Sequence, residues 1–385
     1  MRDTKFGSRN RLCTIVAVTS LLTILVTTAY TQQQSRASHF SNITMISSTI
    51  PNNGDVNPYG VFRISRSVGK LTRGNILVSN FNNTANLQGT GTTLVQISPT
   101  GSFSLFAQID ANTLPGVCPG GVGLTTALVV LRSGWVVVGS LPTSDGTANT
   151  AQAGCLIVLD SNGNVVETLT DPQINGPWDM TVFDGTGDMG TSKRAILFVT
   201  NVLNGTVAAG GNIVDEGTIL RIVLDVSPSG TMPTMESLTV IGSMFPERTD
   251  PAALVIGPTG LALSKNDKTL YVADSLDNRV AAISDPLNRM TSADTGATVS
   301  SGGHLNDPLG MTLAINGDIL TANGGDGFLV ETTPKGQQVS AILLDSSGTP
   351  PGAGALFGLT DVPGLGVVFV DDATNTLNLL SSRGQ

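Results

Sequence analysis

A chain of 385 residues with 45 Gly and 19 Pro, only 13% charged and 4% aromatic, lacks the long charged, Ala-rich windows of a helical protein. Its 40% hydrophobic content still supplies a large core, so the composition reads as all-β with many turns. A formal charge of −9 excludes the basic footprint that nucleic acid or an anionic membrane surface requires.

The N-terminus is a separate object. Arg2, Lys5, Arg9 and Arg11 precede an apolar run from Leu12 to Ala29 that ends in small residues. This is the layout of a signal peptide cleaved after Ala29; the alternative is an uncleaved N-terminal anchor, because the run lies near the lower limit for spanning. Either reading makes the remainder exported, whether secreted or periplasmic, and membrane contact follows only from the second. Cleavage would remove four basic residues and Asp3, taking the formal charge from −9 to −12. Residues 30–38 read as a linker, 39–382 as one domain and 383–385 as a tail.

From residue 57 onward one pattern recurs: a turn with Pro or Gly, an apolar strand, and a second strand ending in a small or polar pair. The pairs are Ser79-Asn80, Gly139-Ser140, Thr200-Asn201, Ala273-Asp274, Ala322-Asn323 and Val370-Asp371, spaced by 60, 61, 73, 49 and 48 residues. Third strands end at turns such as SPTG, DSNG and TPKG. Runs such as SFSLFAQI (102–109), VVETLT (165–170) and SLTVIG (237–242) read as fourth, outer strands. Six irregularly padded copies predict a six-bladed β-propeller. The last copy runs out of chain after TLNLLSS (376–382), while the run Phe40–Ser47 has no copy of its own. The N-terminal run is therefore expected to complete blade 6 and close the ring, since an open edge would otherwise remain.

The phrases LYVADSLDNRV and DILTANGGD, with P-x-G turns before them, resemble the NHL-repeat family of six-bladed propellers and, more distantly, the gluconolactonase-like propellers. The resemblance covers residues 39–382 and is strongest in blades 4 and 5. It implies the fold; members of such families are binding scaffolds, lyases and hydrolases alike.

Strand direction puts the loop before each first strand and the loop after each second strand on one face, here the top. The second-to-third loops are long in blades 1 to 3 (81–92, 141–154 and 202–217) and short in blades 4 to 6. Long Gly/Thr/Asn loops on a rigid scaffold are a natural place for binding. Cys118, before blade 2, and Cys155, after its long loop, share that face, and a Cys118–Cys155 disulfide stapling the loops is expected.

Acid–base and nucleophilic constellations are absent from the sequence: it has two His, and G-x-S-x-G, H-E-x-x-H and phosphate-binding glycine motifs do not occur. Ligand-binding candidates at the top-face mouth are Tyr59 and Trp178 as aromatic platforms, Asp179 as an inner carboxylate in place of a motif Gly, and His304 in the loop before blade 5. The expected function is a binding or interaction module, a monomer whose partner is a small molecule, carbohydrate or protein. The alternative, implied by the gluconolactonase-like resemblance, is a metal-dependent hydrolase or lactonase with Ca²⁺ or another divalent cation in the central channel. Asp179, Asn201, Asp274 and Asn323 would be its oxygen ligands. Against this, the P-x-G turns lack the inner Glu and Asp of that family. Asx side chains at strand ends also commonly bond their own turns.

Overall fold

A computed structural model of the protein describes residues 35–185, 193–226 and 231–382; the signal or anchor segment and the C-terminal tail lie outside the described residues. Six antiparallel sheets follow one another, each beginning with an inner strand and working outward. The inner strands are Val56–Arg63, Leu124–Val130, Pro177–Asp184, Pro258–Leu263, Pro308–Leu313 and Leu356–Val362. Each touches the inner strand on either side, and the last touches the first, so the ring is closed. The protein is a six-bladed β-propeller.

The strand-end markers fall on one register. Asn80, Ser140, Asn201, Asp274, Asn323 and Asp371 pair with Pro58, Leu124, Pro177, Pro258, Pro308 and Leu356, which open the inner strand in every blade except the first, where Pro58 is the third residue. Every inner strand then has a register shift before regular pairing resumes, in the blades with a P-x-G turn and in those without one alike. The glycine is there for close approach. A Cβ at Gly310 would lie 1.8 Å from the carbonyl oxygen of Phe357, and one at Gly358 would lie 2.2 Å from that of Tyr59.

Second strands such as Ile76–Asn82 and Gly366–Asp371 are buried along their whole length, because a blade is covered on both faces by its neighbours. This is why they read as continuous apolar runs instead of alternating ones. The core is a series of clusters between successive blades, such as Leu77 and Leu94 of blade 1 against Val136 and Ile157 of blade 2. Each fully buried aliphatic side chain in these seams stabilises the ring by about 1.5–3 kcal/mol.

Closure follows the expected route. Asn42–Ser48 pairs antiparallel with Thr376–Ser381 as the outer strand of blade 6. Blade 4's outer strand is Ala297–Ser301. Blade 3 departs from expectation twice. Its third strand begins early, at Val214, so the preceding loop is shorter and holds a turn of helix at Thr206–Ala209. Its outer strand runs on through Thr234–Asp250, and a further strand, Leu254–Ile256, folds back to pair with its end.

Candidate functional site

Tyr59, Trp178, Leu309 and Phe357, the second residues of the inner-strand turns of blades 1, 3, 5 and 6, meet at the top of the channel. Tyr59 stacks on Phe357 with ring centroids 3.9 Å apart and on Phe81 at 4.4 Å, and Trp178 tilts against both Tyr59 and Phe357. Leu309 and the Ala253–Ile256 segment complete this cluster, and the Trp178 indole N–H donates to the carbonyl of Val255 at 3.0 Å. Tyr59 and Trp178 are each 2% exposed. They are therefore not open platforms at the mouth: together they are the plug that closes it. Burial, with the nearby Asp372 carboxylate, pushes the Tyr59 phenol well above its ordinary range.

Asp179 lies directly below the plug, where blades 1, 4, 5 and 6 carry glycine and blade 2 carries Thr126. Its Oδ2 accepts the backbone N–H of Leu261 in blade 4 at 2.9 Å, so the carboxylate bridges two inner strands. Burial pushes its pKa up to about 7, against the opposing effect of backbone N–H groups of Leu261 and Met180. Asp179 borders a channel cavity of about 160 Å³ lined by inner strands, including Val61, Arg63, Thr181, Thr312 and Thr360. Exposure rises from the buried Pro-x-Gly level toward Arg63, Thr181 and Thr360, so the cavity opens on the bottom face.

The remaining oxygen ligands named from sequence do not converge with Asp179. Asn201 accepts the backbone N–H groups of Asn175 and Gly176 at 3.0 and 2.8 Å, inside blade 3. Asp274 receives the Arg279 guanidinium at 2.7 Å, although burial still lifts its pKa to about 6. Asn323 donates to the His304 carbonyl at 2.7 Å and to Asp326 at 2.9 Å, inside blade 5. Each serves its own blade's turn, and one carries a competing cation, so the set does not fit a shared metal ion. Among the described residues no group of three His, Cys, Asp or Glu side chains is placed to hold one. His304 is exposed; its backbone is held by Gln338 and Asn323, and its side chain borders neither cavity described here.

The long top-face loops do build a concavity, from residues that the sequence did not single out. A cavity of about 330 Å³ lies between Gln88 of the blade 1 loop, Gly146–Asn149 of the blade 2 loop, and Thr249–Pro251 with Leu254 of the returning blade 3 segment. The two loops interlock: Thr143 N–H donates to the Gly89 carbonyl at 3.0 Å, and Gly146 packs on Leu87. Gln88 is fixed by donating its Nε2 to the Pro251 carbonyl at 2.8 Å, while its Oε1 is buried with no hydrogen-bond partner. The expected disulfide is present. Cys118 and Cys155 are joined across a sequence separation of 37, tying the loop before blade 2 to its third strand. The loop length was a readable signal; the individual lining residues carried none.

The molecule thus belongs by architecture to the six-bladed β-propellers. No protein-family model matches the chain, and no curated protein matches it. Among solved structures it is similar to a gluconolactonase from Xanthomonas campestris, at TM-score 0.54 and 12% identity over 90% of this chain and 91% of that one. A calcium-binding protein, regucalcin, from Agrobacterium tumefaciens aligns at TM-score 0.54 and 12% identity, over 89% and 96% of the two chains. A luciferin-regenerating enzyme aligns at TM-score 0.51 and 11% identity over 89% and 96%. At these identities the likeness is one of fold.

Proposed function

We infer that this protein is an exported binding module whose ligand docks in the top-face cavity between the blade 1 and blade 2 loops. The observation that carries this reading is the cavity itself. It is a concave space walled by long loops that a disulfide and cross-loop hydrogen bonds hold in place. The disulfide supports an oxidising, extracytoplasmic location. Among the described residues no helix is long and apolar enough to cross a membrane.

The lining selects a class of ligand. Thr147, Asn149 and Thr249 offer neutral donors and acceptors, beside the apolar surfaces of Ala148, Pro251 and Leu254, while the Asp250 carboxylate in the same lining is already engaged by Arg248 and the N–H groups of Ala252 and Ala253. Such a surface suits a neutral, hydroxyl-rich molecule, and a carbohydrate fits best of the three partner classes. The test is a panel of neutral mono- and disaccharides, screened by thermal shift and followed by calorimetry on wild type, Asn149→Ala and Thr249→Val. At least one saccharide should bind, and each substitution should weaken it by about tenfold, the effect of one or two lost hydrogen bonds. Absence of saccharide binding at millimolar concentration, or binding untouched by both substitutions, overturns the reading. The rival metal-dependent lactonase makes a separate demand: stoichiometric Ca²⁺ or another divalent cation in purified protein, with chelator-sensitive lactone hydrolysis.

A further inference from the structure

The plug makes the lower channel a blind cavity, and its wall is ordered by depth. Deepest is the Asp179 carboxylate, 7% exposed and held by backbone N–H groups; among the described residues it faces no cation. One residue further along the strands, Val61, Leu128, Met180, Leu261, Met311 and Leu359 border the cavity while their side chains pack into the hydrophobic seams between blades. These six share one register, each pairing with the residue two before the strand-end marker. Below them Thr181, Thr312 and Thr360 add hydroxyls. Arg63 borders the same cavity near its mouth, half-buried, its Nε shielded from solvent and, among the described residues, without a hydrogen-bond partner.

An unpaired acid and an unpaired base therefore line one small cavity without meeting each other. Asp179 precedes that shared register by one residue and Arg63 follows it by two, which separates them by about 10 Å of strand axis. Asp179 is met only by backbone N–H groups and Arg63 by no carboxylate among the described residues, so a ligand with an ammonium and a carboxylate would give each group its first charged partner. The volume, about 160 Å³, corresponds to the liquid volume of about five waters. That limits a ligand to a short, slender molecule.

We propose that the lower channel is a binding site for a short linear amino acid carrying its ammonium and carboxylate at opposite ends. The ammonium sits on Asp179, the methylenes span the narrow channel, and the carboxylate meets Arg63 with the threonine hydroxyls beside it. The site opens on the face opposite the loop cavity and does not depend on the proposed function there. A purely structural role for Asp179, as a strut to Leu261, would predict no such ligand.

Calorimetric titration of the protein with γ-aminobutyrate, δ-aminovalerate and ε-aminocaproate tests the proposal, with butylammonium and butyrate as single-charge probes. One amino acid length should bind saturably and more tightly than either single-charge probe. Asp179→Asn keeps an acceptor for Leu261 N–H, and it should weaken amino acid binding by more than about tenfold and abolish butylammonium binding. Arg63→Gln, at a half-buried position with no charged partner among the described residues, should weaken the amino acid similarly and abolish butyrate binding while leaving the fold intact. Saturation with none of the three amino acids by folded protein overturns the proposal. So does equal affinity for butylammonium, or binding indifferent to Arg63→Gln.

Discussion

Asp179 is the residue whose environment differs most from that of its equivalents around the ring. Gly260, Gly310 and Gly358 occupy its position where neighbouring inner strands meet backbone to backbone, and a carboxylate fills the seam between blades 3 and 4 instead. Burial raises its pKa to about 7 in the folded protein, whereas it ionises near its ordinary 3.8 once unfolded. Between those values the native state binds more protons than the unfolded chain, so stability falls as pH rises from about 4 to about 7 and levels off above. The full effect is on the order of 4 kcal/mol. Asp179→Asn keeps an acceptor for Leu261 and does not titrate. Its stability relative to wild type, read by urea denaturation, should therefore improve by about 2.5 kcal/mol between pH 5 and pH 8, the part of the effect that this window spans. Glu247, raised by burial to about 8, and Asp372, raised by burial and Asp371 to about 7, remain in both proteins and cancel. A difference independent of pH would refute the elevated pKa.

Among elements, the blade 2 loops depend on a covalent tie. Cys155 is fully buried at the start of its strand and Cys118 lies in the irregular segment before the blade. At a sequence separation of 37, the loss of unfolded-chain entropy stabilises the fold by about 4 kcal/mol in the chain-entropy account. Replacing both cysteines with Ala should lower the guanidinium unfolding free energy by about 2–4 kcal/mol, and a loss below about 1 kcal/mol would show that the loops hold without the bond. This staple was legible in the sequence because both cysteines flank elements whose order the repeat fixes. The repeat was legible because each blade restates the same turn, strand and marker, as in PTGLALSKNDKTLYVAD. The segment 243–257 was not. SMFPERTDPAALVIG contains Pro246 and Pro251 and lacks period-two alternation, and its partners, the strand it folds back on and the Trp178 indole, are set by the tertiary fold. Missing that crossing is why Tyr59 and Trp178 read as a mouth instead of a plug.

At the scale of the whole molecule, everything depends on a ring whose ends are far apart in sequence. The closing segment is latched before its strand begins. The buried Glu331 carboxylate of blade 5 accepts the Ser35 hydroxyl at 2.5 Å and the backbone N–H groups of Arg36 and Ala37, both at 2.6 Å. Arg36 also pairs with Asp361 of blade 6, and Ala37 and Phe40 are buried against the seam between those blades. Two kinds of damage should separate latch from strand. Glu331→Ala leaves buried N–H groups unsatisfied, and should cost about 2–3 kcal/mol while the Asn42–Ser48 ladder persists. Deleting residues 35–48 instead leaves Thr376–Ser381 as an unprotected edge and opens the seam of the ring. That variant should unfold at a much lower denaturant concentration and associate through the exposed edge, as read by size-exclusion chromatography with light scattering. A deletion variant that stays monomeric with the wild-type midpoint would mean that five complete blades and a three-stranded sixth suffice. In that case closure by the N-terminal strand contributes little to stability.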